Sequence, residues 1–393
     1  MKSLSVNDLK ISKSLFLLDP EVTFLNHGSF GACPKRVFER YQYWQLEMEK
    51  QPVKFLQRRV PELLDKARAK LGKYLGCSAD ELIFFPNPTT AINMVVRNLD
   101  LKPGDEILST DHEYGAMDRT WRFICKETGA RYIQQPIPLP LTSPEELVEQ
   151  IWSGVTANTK VLFFSHITSA TALTFPAEEL CKRAKEAGIT SIVDGAHAVA
   201  QMELNLDELG ADIYTGACHK WLCAPKGSAF LYVCKELQDQ MLKPLVVSWG
   251  YEAEELGPSL FIDHHDWQGT RELAAFLAVP DAIEFQQQHD WQSQRERCHK
   301  LASNTRNRLN EMLQQNPISP NTPDWFLQMC AVQLPEVDEV ALQTALYDRF
   351  KVEIPVYRWQ GTPFVRASFQ AYNDQKDADR LLASLEELVP KFV

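Results

Sequence analysis

Long apolar runs are missing from this sequence. No stretch approaches the roughly 20 consecutive apolar residues that span a bilayer. The opening MKSLSVNDLKISKSLFLLDP has too short an apolar run for a secretory signal. A cationic surface is missing too: 41 Lys and Arg stand against 52 Asp and Glu, a net charge of −11, with a pI near 5.4. That argues against nucleic acid as a partner, which needs clustered basic residues. Neither the glycine fingerprint of a dinucleotide-binding fold nor a P-loop occurs, which disfavours a nicotinamide enzyme. Nine cysteines, an odd number, are scattered from Cys33 to Cys330 without the spacing of a disulfide framework. A reduced, cytoplasmic protein with no membrane partner is expected.

What is present is a large core. The chain has 393 residues, 45% of them hydrophobic, enough for one large domain and a smaller one. Short apolar runs alternate with amphipathic stretches between residues 80 and 235. The runs are ELIFF (81–85), EILST (106–110), RYIQQPI (131–137), VLFFSHI (161–167), SIVDGAH (191–197), DIYTG (212–216) and SAFLYV (228–233). Helical patterns such as TTAINMVVRNL and GAMDRTWRFICKETG lie between them. This alternation predicts an α/β fold with a mostly parallel sheet wrapped by helices. After QGTRE (268–272) the texture changes to two long helical patterns, near 272–289 and 291–315, and then a smaller α+β region. The Pro- and Asn-rich QQNPISPNTPDW (314–325) marks the boundary.

The chemistry concentrates in TGACHKWLCAPKGSAFLYV (215–233). Cys218, His219 and Cys223 invite a metal reading, but they lack the C-x-x-C spacing and have no second Cys or His pair nearby. No metal is expected. The other reading is a turn that holds Lys220 for covalent chemistry, since a lysine amine forms a Schiff base with a carbonyl cofactor. Pyridoxal phosphate then needs a carboxylate for its pyridine nitrogen, donors for its phosphate, and a flat group on its ring. Asp194 leaves the C-terminal end of a buried strand, where α/β folds bind ligands; alone, it reads equally well as a helix cap. His197 is placed to meet the ring hydroxyl. In FFPNPTTAIN (84–93), Asn87 suits an N-cap and Pro88 the first helical position. Thr89 and Thr90 then offer hydroxyls and N–H groups where a helix dipole favours an anion. Tyr114 or His112, in STDHEYGAM (109–117), is the stacking candidate.

Together FLNHGSFGACP (24–34), NPTTAIN, TDHEYGA, SHITSATAL (165–173), VDGAHA, CHKWLCAPKGSAFL, WQGTRE and VRASFQAYN resemble the class V aminotransferase family, across nearly the whole chain. Within that family the strings are most similar to the isopenicillin-N epimerase-like members. The resemblance implies a fold type I pyridoxal-phosphate enzyme and a homodimer with shared active sites. Its parts would be an N-terminal segment (1–25) packing with the small domain, a large cofactor-binding domain (26–290) and a small C-terminal α+β domain (291–393). The implied roles fall residue by residue. Lys220 carries the cofactor and moves protons, Asp194 pairs with the pyridine nitrogen, and His197 and Ser169 lie near the ring hydroxyl. Tyr114 takes the stacking place, and His219 with Thr89 or Thr90 contacts the phosphate. Thr270 reaches the neighbouring subunit's phosphate. Arg366 binds the substrate α-carboxylate bidentately, and Asn26 and His27 line the substrate cleft.

Several positions depart from the family pattern. Ala217 stands where relatives often have Ser, Thr or Asn, and Ser169 where desulfurase relatives have Asn. FKVEIPVYRWQGTPF (350–364) lacks the nucleophilic cysteine of a persulfide-forming desulfurase. The expected substrate is an amino acid or an amino-acid-containing peptide. Three reactions at its α-carbon remain open: epimerisation, β-elimination as in a C–S lyase, and transamination. Epimerisation needs a second acid opposite Lys220, with Tyr114 and His27 as candidates. The aromatic and acidic stretch 247–267 reads either as a gate over the cleft or as a surface excursion.

Overall fold

A computed structural model describes residues 11–392. The first strand, β1 (Thr23–Phe24), is two residues long and lies outside the central sheet. The central sheet has seven strands: β2 (Leu82–Phe85), β3 (Glu106–Thr110), β4 (Arg131–Gln135), β5 (Thr159–Ser165), β6 (Thr190–Asp194), β7 (Ile213–Ala217) and β8 (Ala229–Val233). Their order is β2-β8-β7-β6-β5-β3-β4. All neighbours are parallel except β8, which runs antiparallel to both β7 and β2. The mostly parallel sheet expected from the apolar runs is therefore present. Because side chains alternate across a strand, each run feeds two cores. Leu82, Phe84, Leu108, Leu162 and Phe164 enter one. Ile83, Phe85, Ile107, Val161 and Phe163 enter the other.

Most helices follow the sequence pattern. TTAINMVVRN lies within the helix Pro88–Asn98. The helix Gly115–Thr128 ends at Gly129, whose φ is 77°. The 272–289 pattern differs from expectation in forming two helices, Ala274–Leu277 and Val279–Gln288. Pro280 has no N–H to continue the hydrogen-bond ladder between them.

The C-terminal part carries β9 (Met329–Gln333), β10 (Val352–Glu353), β11 (Val356–Trp359) and β12 (Thr362–Ser368). The strands β11, β12 and β9 form an antiparallel sheet with β12 in the middle. The helix Trp291–Leu313 packs on β9, and the helices Glu339–Phe350 and Gln375–Phe392 pack on each other. β1 pairs in parallel with β10, and Lys13 forms an ion pair with Asp377 at 2.6 Å. Of the N-terminal segment 1–25, residues 1–10 lie outside those described. No helix among the described residues is long and apolar enough to cross a membrane.

This topology fixes the location of the site. The chain winds outward through β3 and β4, then returns to place β5 beside β3. Ligands bind beyond the carboxyl ends of strands at such a reversal. Thr110, Ser165, Asp194 and Ala217 close the carboxyl ends of β3, β5, β6 and β7.

Candidate active site

A cavity of about 780 Å³ opens over these strand ends, a size typical of small-molecule sites. Lys220, Asp194, His197, His219, Tyr114 and Arg366 all line it, as do Thr89, Thr90 and Ser169. The structure therefore brings together nine of the sequence-predicted site residues, drawn from segments as far apart as the β2–helix junction and β12.

Lys220 leaves β7 through a tight turn, in which the Cys223 N–H donates to the Lys220 carbonyl at 3.0 Å. Cys223 adopts a φ of 64°. The Lys220 amine lies 3.1 Å from His197 Nε2. Burial lowers its pKa to about 8, against the opposing pull of the Asp194 charge. Asp194 is buried and its Oδ1 accepts the Ala196 N–H at 2.9 Å, the local turn that also suits a cap. Burial raises its pKa, while that hydrogen bond and Lys220 pull it back. Gly195 follows because a Cβ there would lie 2.1 Å from the Tyr214 ring. The Trp221 indole N–H donates to His197 Nδ1 at 3.3 Å. Burial holds the His197 imidazole neutral, its pKa well below the usual value.

The helix Pro88–Asn98 points its N-terminus at the cavity. Asn87 Oδ1 accepts both the Thr90 N–H, at 2.8 Å, and the Thr90 hydroxyl, at 3.0 Å. Thr90 is thus committed to the cap. The N–H and hydroxyl of Thr89 have no partner among the described residues, which leaves them for an anion. His219 donates from Nδ1 to the Ser228 carbonyl at 3.0 Å, so its Nε2 is the free nitrogen. Burial lowers its pKa to about 4.

Arg366, buried in the middle of β12, donates to the Ser169 carbonyl and, at 3.2 Å, to the Ser169 hydroxyl. It also donates to the Ser29 hydroxyl at 3.3 Å. Its Nε is buried without a partner. Ser169 thus orients the guanidinium as well as lining the cavity. A buried guanidinium with an unused donor calls for an anionic ligand.

Four candidates lie elsewhere. His27 is fully buried behind the lysine turn, donating from Nε2 to the Lys220 carbonyl at 3.0 Å and accepting the Tyr372 hydroxyl at Nδ1, 2.9 Å away. Burial lowers its pKa to about 3. It lines no cleft and stands on the lysine's own side. Asn26 is held by Glu353 at 3.0 Å and does not line the cavity. Thr270 is exposed and also away from it. His112 is buried between Thr171 and the Ile137 carbonyl, both at 2.8 Å. Of the two stacking candidates, Tyr114, 49% exposed, is the one that lines the cavity. No residue of 247–267 lines it.

Sequence reading missed three neighbours. Glu113 is a buried carboxyl that accepts from Thr110 at 2.7 Å and Ser165 at 2.6 Å; burial raises its pKa to about 8. Lys226 lines the cavity and donates to the Gly31 carbonyl at 3.1 Å. Gly31 itself has a φ of 70°, and a Cβ there would lie 2.0 Å from the His219 carbonyl oxygen. Trp221 is the third. Glu113 was in view beside Tyr114, but nothing local tells a buried neutral carboxyl from a solvated one.

The cysteines of the lysine turn are packing groups: Cys218 and Cys223 are fully buried, which raises both thiol pKa values. Among the described residues no three His, Cys, Asp or Glu side chains are grouped to hold a metal ion. A buried amine, a carboxylate at a strand end, an open helix N-terminus and a guanidinium with a spare donor fit pyridoxal phosphate and an amino-acid carboxylate.

Comparison with known proteins agrees. The pattern of the family Aminotransferase class-V matches residues 31–381. Isopenicillin N epimerase of Amycolatopsis lactamdurans is 38% identical over 385 residues, covering 94% of this chain and 96% of that one. A probable chloroplastic L-cysteine desulfhydrase of Arabidopsis thaliana is 28% identical, covering 94% and 84%. The apo structure of a cysteine desulfurase from Thermococcus onnurineus NA1 superposes with a TM-score of 0.81 over 100% of both chains at 20% identity, which speaks for the fold.

Proposed function

The chain belongs to the class V aminotransferase family of pyridoxal-phosphate enzymes, and from that premise we propose that it inverts the α-carbon of an amino acid or of an amino-acid-containing peptide. What supports this reading is that Lys220 and Tyr114, the candidate proton-moving groups, both line the cavity and reach it from strands well apart in the sheet. Lys220 follows β7 and Tyr114 follows β3, with β6 and β5 between them. At about 4.8 Å per strand, those flanks stand roughly 14 Å apart, room for a flat cofactor–substrate pair. A proton taken on one side and returned from the other inverts the centre.

Lys220, Asp194, Thr89, His219, His197 and Tyr114 are the residues that would hold the cofactor. When bound, pyridoxal phosphate supplies a sink for the electrons of the broken Cα–H bond. The chain's own groups do the rest. Arg366 grips the α-carboxylate and fixes which substituent faces Lys220. The Lys220 amine, neutral above about pH 8, accepts the α-proton. Tyr114 returns a proton from the far side.

Tyr114→Phe tests the assignment. Chiral chromatography of a single-enantiomer substrate should show inversion slowed by about 10²–10⁴-fold, the usual worth of a positioned acid. Undiminished inversion in that variant contradicts it. The likeness to an L-cysteine desulfhydrase supports β-elimination as a second reading. Sulfide and ammonia release from cysteine distinguishes it.

Two further features support an assembly and a setting. Val247, Trp249 and Leu256 are 68%, 86% and 72% exposed, on the segment that precedes the exposed Thr270 in the chain. Such a patch suits burial against a second copy, which would bring Thr270 to the partner's phosphate site. The nine cysteines are all unpaired, in keeping with the cytoplasm.

A further inference from the structure

Three side chains are hydrogen-bonded in succession, the last two lining the cavity: Trp221, His197 and Lys220. The indole N–H of Trp221 is a donor and never an acceptor. It meets His197 Nδ1 at 3.3 Å, so Nδ1 is the accepting nitrogen. A neutral imidazole has one N–H, and here that proton belongs on Nε2. Nε2 faces the Lys220 amine at 3.1 Å. An ammonium has no lone pair to receive an N–H, whereas a neutral amine does.

We infer that Trp221 is a positioning residue that locks the His197 tautomer and thereby holds the Lys220 amine neutral for cofactor capture. The inference rests on Lys220 holding the cofactor, not on which reaction follows. Trp221 is itself well held. It is fully buried, its carbonyl accepts from Gln286 at 2.9 Å, and the His27 ring lies 5.0 Å from its own. The other charged and titratable groups around this line are Asp194 and Arg366, which act on Lys220, and His219, which with Lys220 and Arg366 acts on His197. Only Asp194 favours the ammonium. The Nε2–H of His197 opposes it, and burial lowers the lysine pKa to about 8. Without the Trp221 donor the imidazole is free to turn its proton to Nδ1. Nε2 then accepts from the ammonium and stabilises it.

Capture is a balanced condensation. Lys220 attacks the aldehyde carbon of added pyridoxal phosphate, a C=N bond forms, and both amine hydrogens leave with the carbonyl oxygen as water. Only the neutral amine can begin it.

The test uses the full chain stripped of cofactor with hydroxylamine. Nitrogen-15 NMR of histidine-labelled protein, with the His197 signals assigned by subtraction of His197→Asn, should show a protonated Nε2 and a bare Nδ1. The rate of pyridoxal phosphate capture, followed by absorbance, should rise through about pH 8 in the wild type. In Trp221→Phe the midpoint should move up by about one pH unit, which slows capture at pH 8 about fivefold. Benzothienylalanine at position 221 keeps the ring volume without the N–H and should shift the midpoint equally, so it decides the matter if the phenylalanine variant folds poorly. A proton on Nδ1 in the wild type, or an unmoved midpoint in the benzothienyl variant, overturns the relay. Failure of the wild type to capture pyridoxal phosphate at any pH contradicts the cofactor reading instead, and the NMR tautomer still decides the relay.

Discussion

Lys220 makes the sharpest predictions at the scale of single residues. Borohydride treatment of the cofactor-loaded protein should fix a covalent adduct on the wild type and none on Lys220→Ala; a labelled Lys220→Ala chain contradicts the assignment. The same amine has a stability consequence. An unfolded lysine titrates near 10.5 and the folded one near 8, so the unfolded chain binds more protons between those values and stability rises with pH across that window. Below pH 8 the full penalty, about 3 kcal/mol, is present. Lys220→Met should therefore raise the melting temperature of the cofactor-free protein at pH 7, and an unchanged or lower value would count against a strained buried amine. At Arg366, a lysine keeps the charge but loses the planar fork. Arg366→Lys should lower kcat/KM by roughly 10–150-fold, the worth of a hydrogen bond to a charged group at about 1.5–3 kcal/mol, mainly through KM. That Lys220 and Asp194 meet at one cavity was legible from residue type and context. The position of His27 was not, because its burial depends on Tyr372 and the Lys220 carbonyl, far away in sequence.

At the scale of elements, the helix Pro88–Asn98 shows how a local signal comes to line the cavity. Asn87 and Pro88 announced the helix start, yet two threonines remained equivalent as phosphate donors. The structure distinguishes them, because the Asn87 cap engages Thr90 and not Thr89. Asn87→Ala should cost about 1 kcal/mol of stability and weaken cofactor retention, both measurable by thermal melts with and without pyridoxal phosphate. A loss of stability equal in the two states would detach the cap from the phosphate site. The sheet strands were equally legible from their apolar runs. The antiparallel direction of β8 was not, because strand direction follows from where the chain returns and not from the run itself. The β12 strand illustrates the same limit: VRAS marks Arg366, but only the pairing of β12 with β9 and its hydrogen bonds to Ser169 aim the guanidinium at the cavity.

For the whole molecule, the exposed apolar stretch around Trp249 and the remote Thr270 make one prediction together. Sedimentation should give a dimer, and Trp249→Glu should shift it toward monomer while reducing cofactor retention. A monomeric wild type with full cofactor occupancy contradicts shared sites. Inversion as the reaction is the central claim, and deuterium oxide tests it most directly. A single enantiomer of each of a panel of amino acids and short peptides is incubated with the cofactor-loaded enzyme in deuterium oxide, and the products are resolved by chiral chromatography with mass detection. The account predicts that the accepted substrate yields its opposite α-epimer carrying one deuterium, without keto acid, ammonia or sulfide. Recovery of those breakdown products without the opposite epimer would contradict it.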